Sequence, residues 1–206
     1  RCVAPADDEG HFLIDECGKR LAGRTRLVAI TQMSNALGTI VPAKEVVQLA
    51  HARGIPVLVD GSQAAVHLAI DVQDIDCDFY VFTGHKLYGP TGIGVLYAKH
   101  AHLEAMRPFN GGGEMIREVA RDWVSYGDPP HKFEAGRPAI VEAIGLGAAI
   151  DYVSSIGKER IDAHEHGLLT YAQERLREIN SLRLIGTARS KGPVISFEMK
   201  GAHPHD

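Results

Sequence analysis

The sequence predicts an α/β fold built on a mostly parallel sheet, and three observations lead there. Short apolar runs with no clearly polar side recur through the first hundred residues, as a sheet covered on both faces requires. A helical segment alternates with them. Two of the runs, VLVD and FYVFTGHK, end on polar residues at matching positions, as strands that deliver groups to one edge of a sheet would.

Taken in order, RLVAIT (26–31) reads as a short buried strand, followed by the polar Gln32 and the turn-prone SNALG. Pro42 opens a helix through AKEVVQLAHARG, with Val46, Leu49, Ala50 and Ala43 on one face and Gly54 as its stop. IPVLV (55–59) is a compact strand that ends at Asp60, and FYVF (79–82) another that ends at Thr83. GIGVLYA (92–98) follows a glycine-rich turn as a further strand. Residues 108–138, with PFNGGGEMI and DWVSYGDPPHKFEAGRP, read as loops. From Ala139 to about Ile156 the chain is apolar nearly all round, which predicts a buried helix. A second helix over 158–179 repeats Ile161, Leu168, Ala172, Leu176 and Ile179 at helical spacing. LRLIG and PVISFEMK read as two strands of a different, smaller domain.

Composition narrows the function. The 206 residues suffice for one sizeable core, or for one large and one small layer. Hydrophobic residues at 45% and charged residues at 23% exclude wholesale disorder. A net charge of −4 gives no general electrostatic case for nucleic acid or an anionic membrane, and no apolar run approaches bilayer length. The three cysteines, Cys2, Cys17 and Cys77, contain no CxxC, so neither a disulfide framework nor a metal site is expected. Cys77, just before a buried strand, reads as a small core residue. With no initiator methionine and no closing element, the chain is expected to be an internal piece of a longer, cytoplasmic protein.

The polar residues at the strand ends match one chemical need. Pyridoxal phosphate wants a lysine amine for its aldehyde and a carboxylate for its ring nitrogen. Lys86 and Asp60 supply these two groups. Lysine suits the first role because it alone carries a primary amine on a flexible stem. Thr83 or His85 can bond the phosphate, while Gln63 and Asn35 can reach the phenolic oxygen. Each has a plainer reading: Asp60 as a turn or cap aspartate, His85 as a surface residue, Gln63 as a local hydrogen-bonder, Lys86 as a snorkelling lysine. No GxGxxG or Walker sequence occurs, so a dinucleotide or ATP site is excluded.

SNALGT, VLVDGSQA, DCDFYVFTGHKLYGPTGIGVLYAK, GGGEMI and FEAG together resemble a group II, SufS-type cysteine desulfurase of the class V aminotransferase family. The resemblance extends over essentially all of the chain, and TGHKLYGPTGIG is its most specific part. It implies a fold type I pyridoxal-phosphate-dependent transferase: part of the large, mostly parallel-sheet domain, plus the start of the small C-terminal α/β domain. The implied division is 1–138 for the partial large cofactor-binding domain, 139–156 for a connecting buried helix, and 157–206 for the incomplete small domain. Lys86 would then hold the cofactor covalently, Asp60 pair with its ring nitrogen, and Gln63 contact its oxygen. Asn35 would lie near that oxygen and the substrate carboxylate, and Thr83 and His85 would bind phosphate. The resemblance further implies a homodimer, with the GGG and EAG loops near the subunit boundary. L-cysteine would be the substrate, and sulfur would leave to an acceptor protein of the iron-sulfur assembly machinery.

The chain departs from the family pattern at one point and lacks others. Where the family has Thr-Pro after FEAG, with the threonine reaching the partner subunit's phosphate, this chain has Arg137. Arginine can bond phosphate as a charge pair, but its length demands a different loop path. The ring-stacking histidine lies upstream of this kind of segment, and the nucleophilic cysteine and the substrate-clamping arginine lie downstream. None of Cys2, Cys17 or Cys77 matches that nucleophile, so the isolated piece is expected to be inactive. Selenocysteine lyase, another class V aminotransferase and a non-catalytic remnant remain alternatives at this point.

Overall fold

The computed structural model describes residues 2–205. After a short helix, Ile14–Arg20 (α1), the chain lays down β1 (Val28–Thr31), α2 (Ala43–His51) and β2 (Val57–Asp60). Two one-turn helices follow, α3 (Ala64–His67) and α4 (Val72–Ile75), and then β3 (Phe79–Thr83). β1, β2 and β3 are neighbours in that order and run parallel, with Thr31 opposite Asp60 and Asp60 opposite Val81. Parallel neighbours need crossover connections, and α2 and the α3–α4 segment are those connections. β4 (Gly94–Ala98) closes the sheet antiparallel to β3.

The helix read from Pro42 forms for the expected reason. Ala43, Val46, Val47 and Ala50 recur on one face and all four are buried. Gly54 then takes φ +66°, a conformation that favours glycine, and turns the chain into β2. Val46, Val47, Val57, Val59 and Cys77 are fully buried and form the centre of the core with Ile75 and Tyr80.

At the amino ends of the strands sits a buried acid. Asp78 accepts hydrogen bonds from the Val57 N–H at 2.7 Å, from His51 Nε2 at 2.8 Å and from His102 Nε2 at 2.9 Å. It ties the start of β2 to α2 and to α5 (His100–Ala105). Lys99 Nζ lies 2.6 Å from the neighbouring Asp76.

Two expectations are corrected here, and the mostly parallel sheet has one antiparallel edge. Residues 108–138 are not loops throughout, because Ile116–Val119 (β5) and Val124–Tyr126 (β6) pair antiparallel. The apolar helix is present as α6 (Ile140–Ile156), but it is not buried. Only Leu146, Ala149 and Val153 are buried, while Ile140, Val141 and Ile144 are 55%, 77% and 70% exposed. Its apolar residues outnumber the surface this chain offers to cover them. β4 turns the sheet antiparallel at one edge, since a connection of ten residues from Gly84 to Ile93 is too short for a crossover.

α7 (Lys158–Arg177) follows α6 after a single glycine, and β7 (Leu182–Ile185) pairs antiparallel with β8 (Ser196–Met199). Between those strands the chain returns to the loop after β1. Ile40 N–H donates to Ser190 O at 3.0 Å and Gly192 N–H to Gly38 O at 2.9 Å. Lys191 Nζ donates to the carbonyls of Leu37 and Gly186, and Ser196 Oγ to that of Ala36. The N-terminal segment joins the same seam: Thr187 N–H donates to Glu9 O at 2.8 Å, and Thr39 Oγ1 to Gly10 O at 2.9 Å. Among the described residues, no single helix is long and apolar enough to cross a membrane.

Candidate active site

Asp60 is the last residue of β2, at the carboxyl edge of the parallel strands, and is exposed there. Its Oδ1 accepts the Ser62 N–H at 2.9 Å, and the Gly61 N–H donates to Val81 O at 2.8 Å, which fastens the turn to β3. Position 61 has to be glycine, because a Cβ there would lie 1.9 Å from the Tyr80 hydroxyl oxygen. Tyr80 is buried and donates to Gln32 Oε1 at 2.7 Å. Burial pushes its phenol well above the ordinary value, and the charge of Asp60 adds to the shift, so Tyr80 stays a protonated donor. Gln63 is the residue before α3 and is half-buried; its side chain takes no part in capping that helix, which leaves its amide free for other partners.

β3 delivers the next group. Thr83 ends the strand, and Gly84–Lys86 form a single tight helical turn beyond it. Thr83 Oγ1 and His85 Nδ1 are 2.8 Å apart, so a hydroxyl and an imidazole stand side by side. Gly84 is buried against Ile93, whose Cγ2 would lie 2.7 Å from a Cβ at position 84. Its N–H donates to Ile93 O at 2.9 Å, and its own carbonyl accepts the N–H groups of Leu87 and Gly89. Lys86 is half-buried on this closed turn.

Asn35 is exposed in the loop that follows β1 and Gln32. That loop is shaped by Ser34 Oγ, which accepts the N–H groups of Ala36 and Leu37 at 3.2 and 3.1 Å. Asn35, Asp60 with Gln63, and Thr83 with His85 and Lys86 thus follow the carboxyl ends of three adjacent parallel strands. Arg137 stands elsewhere. It is exposed and lines a cavity of about 440 Å³ with Glu114, His131 and Glu134, where the Gly136 N–H donates to Gly113 O at 2.9 Å. The GGG and EAG loops are therefore packed together. Larger cavities, of about 760 Å³ beside Cys17 and Arg24 and about 1300 Å³ beside Trp123 and Lys132, are lined by other residues. Among the described residues, no group of three or more His, Cys, Asp or Glu could hold a metal ion.

Sequence reasoning missed the Gln32–Tyr80–Gly61 stack beneath Asp60. The need for glycine at position 61 arises from a tyrosine on the neighbouring strand, which no local pattern reveals.

The sequence profile of the class-V aminotransferases matches residues 2–206. The chain belongs to that family. Among its curated relatives, a cysteine desulfurase of Synechococcus elongatus is 52% identical over 98% of this chain, which spans 32% of the relative. One of Dickeya dadantii is 52% identical over 99% of this chain and 50% of the relative. This class-V aminotransferase chain thus spans between about a third and a half of the length of these relatives. The crystal structure of the cysteine desulfurase CsdA from Escherichia coli superposes with a TM-score of 0.93 at 37% identity, covering 98% of this chain and 50% of that one. The sheet and its flanking helices are accordingly part of a fold type I pyridoxal-phosphate-dependent transferase architecture.

Proposed function

We propose that this class-V aminotransferase segment is the cofactor-holding core of a SufS-type cysteine desulfurase, which converts L-cysteine to L-alanine and passes the sulfur on for iron-sulfur assembly. The observation that carries the reading is the pairing of Asp60, at the end of β2, with Lys86, just past the end of the adjacent parallel β3. The donor set suits pyridoxal phosphate. It comprises one carboxylate, one primary amine, a hydroxyl–imidazole pair 2.8 Å apart, and two amides. Relatives named cysteine desulfurase at about half identity support the substrate.

When bound, the cofactor supplies an electron sink for bonds at the substrate's α-carbon. The residues of this chain do the rest. Lys86 Nζ would hold the cofactor and would carry a proton to or from the substrate carbon. Asp60 would keep a proton on the ring nitrogen. Gln63 and Asn35 would donate to the phenolic oxygen, and Thr83 with His85 would hold the phosphate. The substrate's C–S bond breaks as a thiolate elsewhere in the whole protein takes the sulfur as a persulfide, and the carbon gains a proton to give alanine. The working unit is a homodimer, a reading supported by the exposed apolar face of α6. Arg137 would reach a phosphate held by the other subunit. Residues 1–138 belong to the large domain, 139–156 to the connecting helix, and 157–206 to the small domain.

Borohydride reduction of the full-length protein, followed by peptide mass analysis, tests the central assignment. The cofactor mass is expected on Lys86, and Lys86→Ala is expected to abolish it with little change in unfolding temperature, since Lys86 is only half-buried. Cofactor on another lysine, in a protein that releases alanine from cysteine, would refute it.

A further inference from the structure

α3 is four residues long, far too short to be held by its own hydrogen bonds. Its last carbonyls have no partner within the helix. Yet it continues directly from Asp60–Gln63. The Ala65 N–H donates to Gly61 O at 2.8 Å, Val66 to Gln63 O at 3.3 Å and Leu68 to Ala64 O at 2.7 Å. Residues 60–68 therefore form one hydrogen-bonded piece, open at its carboxyl end.

α7 closes that end. Lys158, its first residue, donates from Nζ to the carbonyls of Ala65 at 2.5 Å and Val66 at 2.7 Å. Two turns on, and so on the same helix face, Glu165 Oε2 lies 2.8 Å from His67 Nδ1. The His67 and Glu165 side chains are 16% and 19% exposed. Burial pushes the Lys158 ammonium below its ordinary value, while the Glu165 carboxylate acts the other way. An uncommitted lysine at the start of a helix would run out to water. This one is instead half-buried against backbone carbonyls more than ninety residues away in sequence.

We propose that Lys158 and Glu165 are positioning residues: by binding the end of α3 they hold the Asp60–Gln63 turn where the cofactor ring needs it. α7 is then a working part of the cofactor site rather than a neighbouring layer. The inference rests on the pyridoxal-phosphate reading above and assigns it two residues that lie outside the strand-end group.

The test uses the full-length protein with Lys158→Met, Lys158→Arg and Glu165→Ala. In the cofactor-free protein, Lys158→Met is expected to speed amide exchange of residues 61–68 about ten-fold while residues 57–59 of β2 keep their protection. Its Kd for pyridoxal phosphate is expected to rise about ten-fold, and kcat for L-cysteine to fall about ten-fold with KM little changed. Lys158→Arg, which keeps donors for two carbonyls, should restore all three to within about two-fold. Should Lys158→Met fail to fold, Glu165→Ala carries the test, because it frees His67 and leaves Lys158 in place; the same three shifts are expected in smaller measure. Exchange unchanged at 61–68, or equally fast in β2, overturns the proposal. So does a loosened turn that leaves Kd and kcat at wild-type values. Unsubstituted protein that takes up no pyridoxal phosphate overturns the functional reading itself, and that failure appears before any variant is made.

Discussion

Replacing Asp78 by alanine is expected to cost about 3–4 kcal/mol of folding stability, although the residue lies at the opposite end of the sheet from Lys86. The acid is 6% exposed and accepts three hydrogen bonds. Its removal orphans the N–H of Val57, a fully buried residue, at roughly 1–3 kcal/mol. It also removes two bonds from His51 and His102 to a charged acceptor, worth about 1.5 kcal/mol each before the half-buried imidazoles recover water. Asp78→Asn keeps an acceptor for Val57 and should cost only about 1–2 kcal/mol. Burial pushes the Asp78 carboxyl up, but hydrogen bonds from His51, from the Val57 N–H and from His102 push it down and prevail. A carboxyl held below its unfolded value contributes stability that is complete above about pH 4 and is lost as pH falls through the folded value. The gap between wild type and Asp78→Asn should therefore close as pH falls through the folded carboxyl value, below about pH 4. Equilibrium urea unfolding of the cofactor-free protein, repeated across pH, measures both effects. An alanine variant within about 1 kcal/mol of wild type, or a gap that persists in acid, would refute the reasoning.

Two further substitutions probe the upper edge of the sheet and the bare helix. Gly61→Ala drives a methyl group into the Tyr80 ring and should destabilise by at least about 2 kcal/mol, with loss of cofactor uptake; Gly61→Ala/Tyr80→Phe should not recover, because the ring carbons Cζ and Cε1 would still lie 2.1 and 2.4 Å from the new Cβ. Ile144→Asp, on the exposed face of α6, should convert a dimeric full-length protein to monomer at micromolar concentration in sedimentation velocity; an unchanged dimer would count against that face as the subunit contact.

What could be read from the sequence was whatever repeats at short range. The α2 face was visible as Ala43, Val46 and Ala50, and the strands as short apolar runs ending in VLVD and FYVFTGHK. Since a strand's end is local information, the placement of Asp60 and Lys86 at neighbouring carboxyl ends followed once the strands were parallel. The β5–β6 hairpin was invisible because all of β5 is exposed, so its residues carry no alternation to detect. The exposure of α6 was missed for a different reason. An apolar helix announces that it will be covered, without saying by what. α3, Lys158 and Glu165 could not be read at all, because a four-residue helix has no periodicity and its clamp is a tertiary contact.

The seam around Asn35 sets an order of events. Lys191 reaches Leu37 across 154 positions of sequence, and Thr187 and Ser190 close onto Glu9 and Ile40 across similar spans. β1 and β2, by contrast, are joined through a single helix and can pair as soon as both have been made. Contacts between distant parts of a chain pay their closure entropy before they gain anything, so they form late. In a polypeptide synthesised from its amino terminus, the Asp60 and Lys86 edges of the site can stand ready while the Asn35 loop still lacks the strand connection that shapes it. The candidate site is thus assembled from stretches of sequence more than 140 residues apart, and its first-made loop is the last to take its final form.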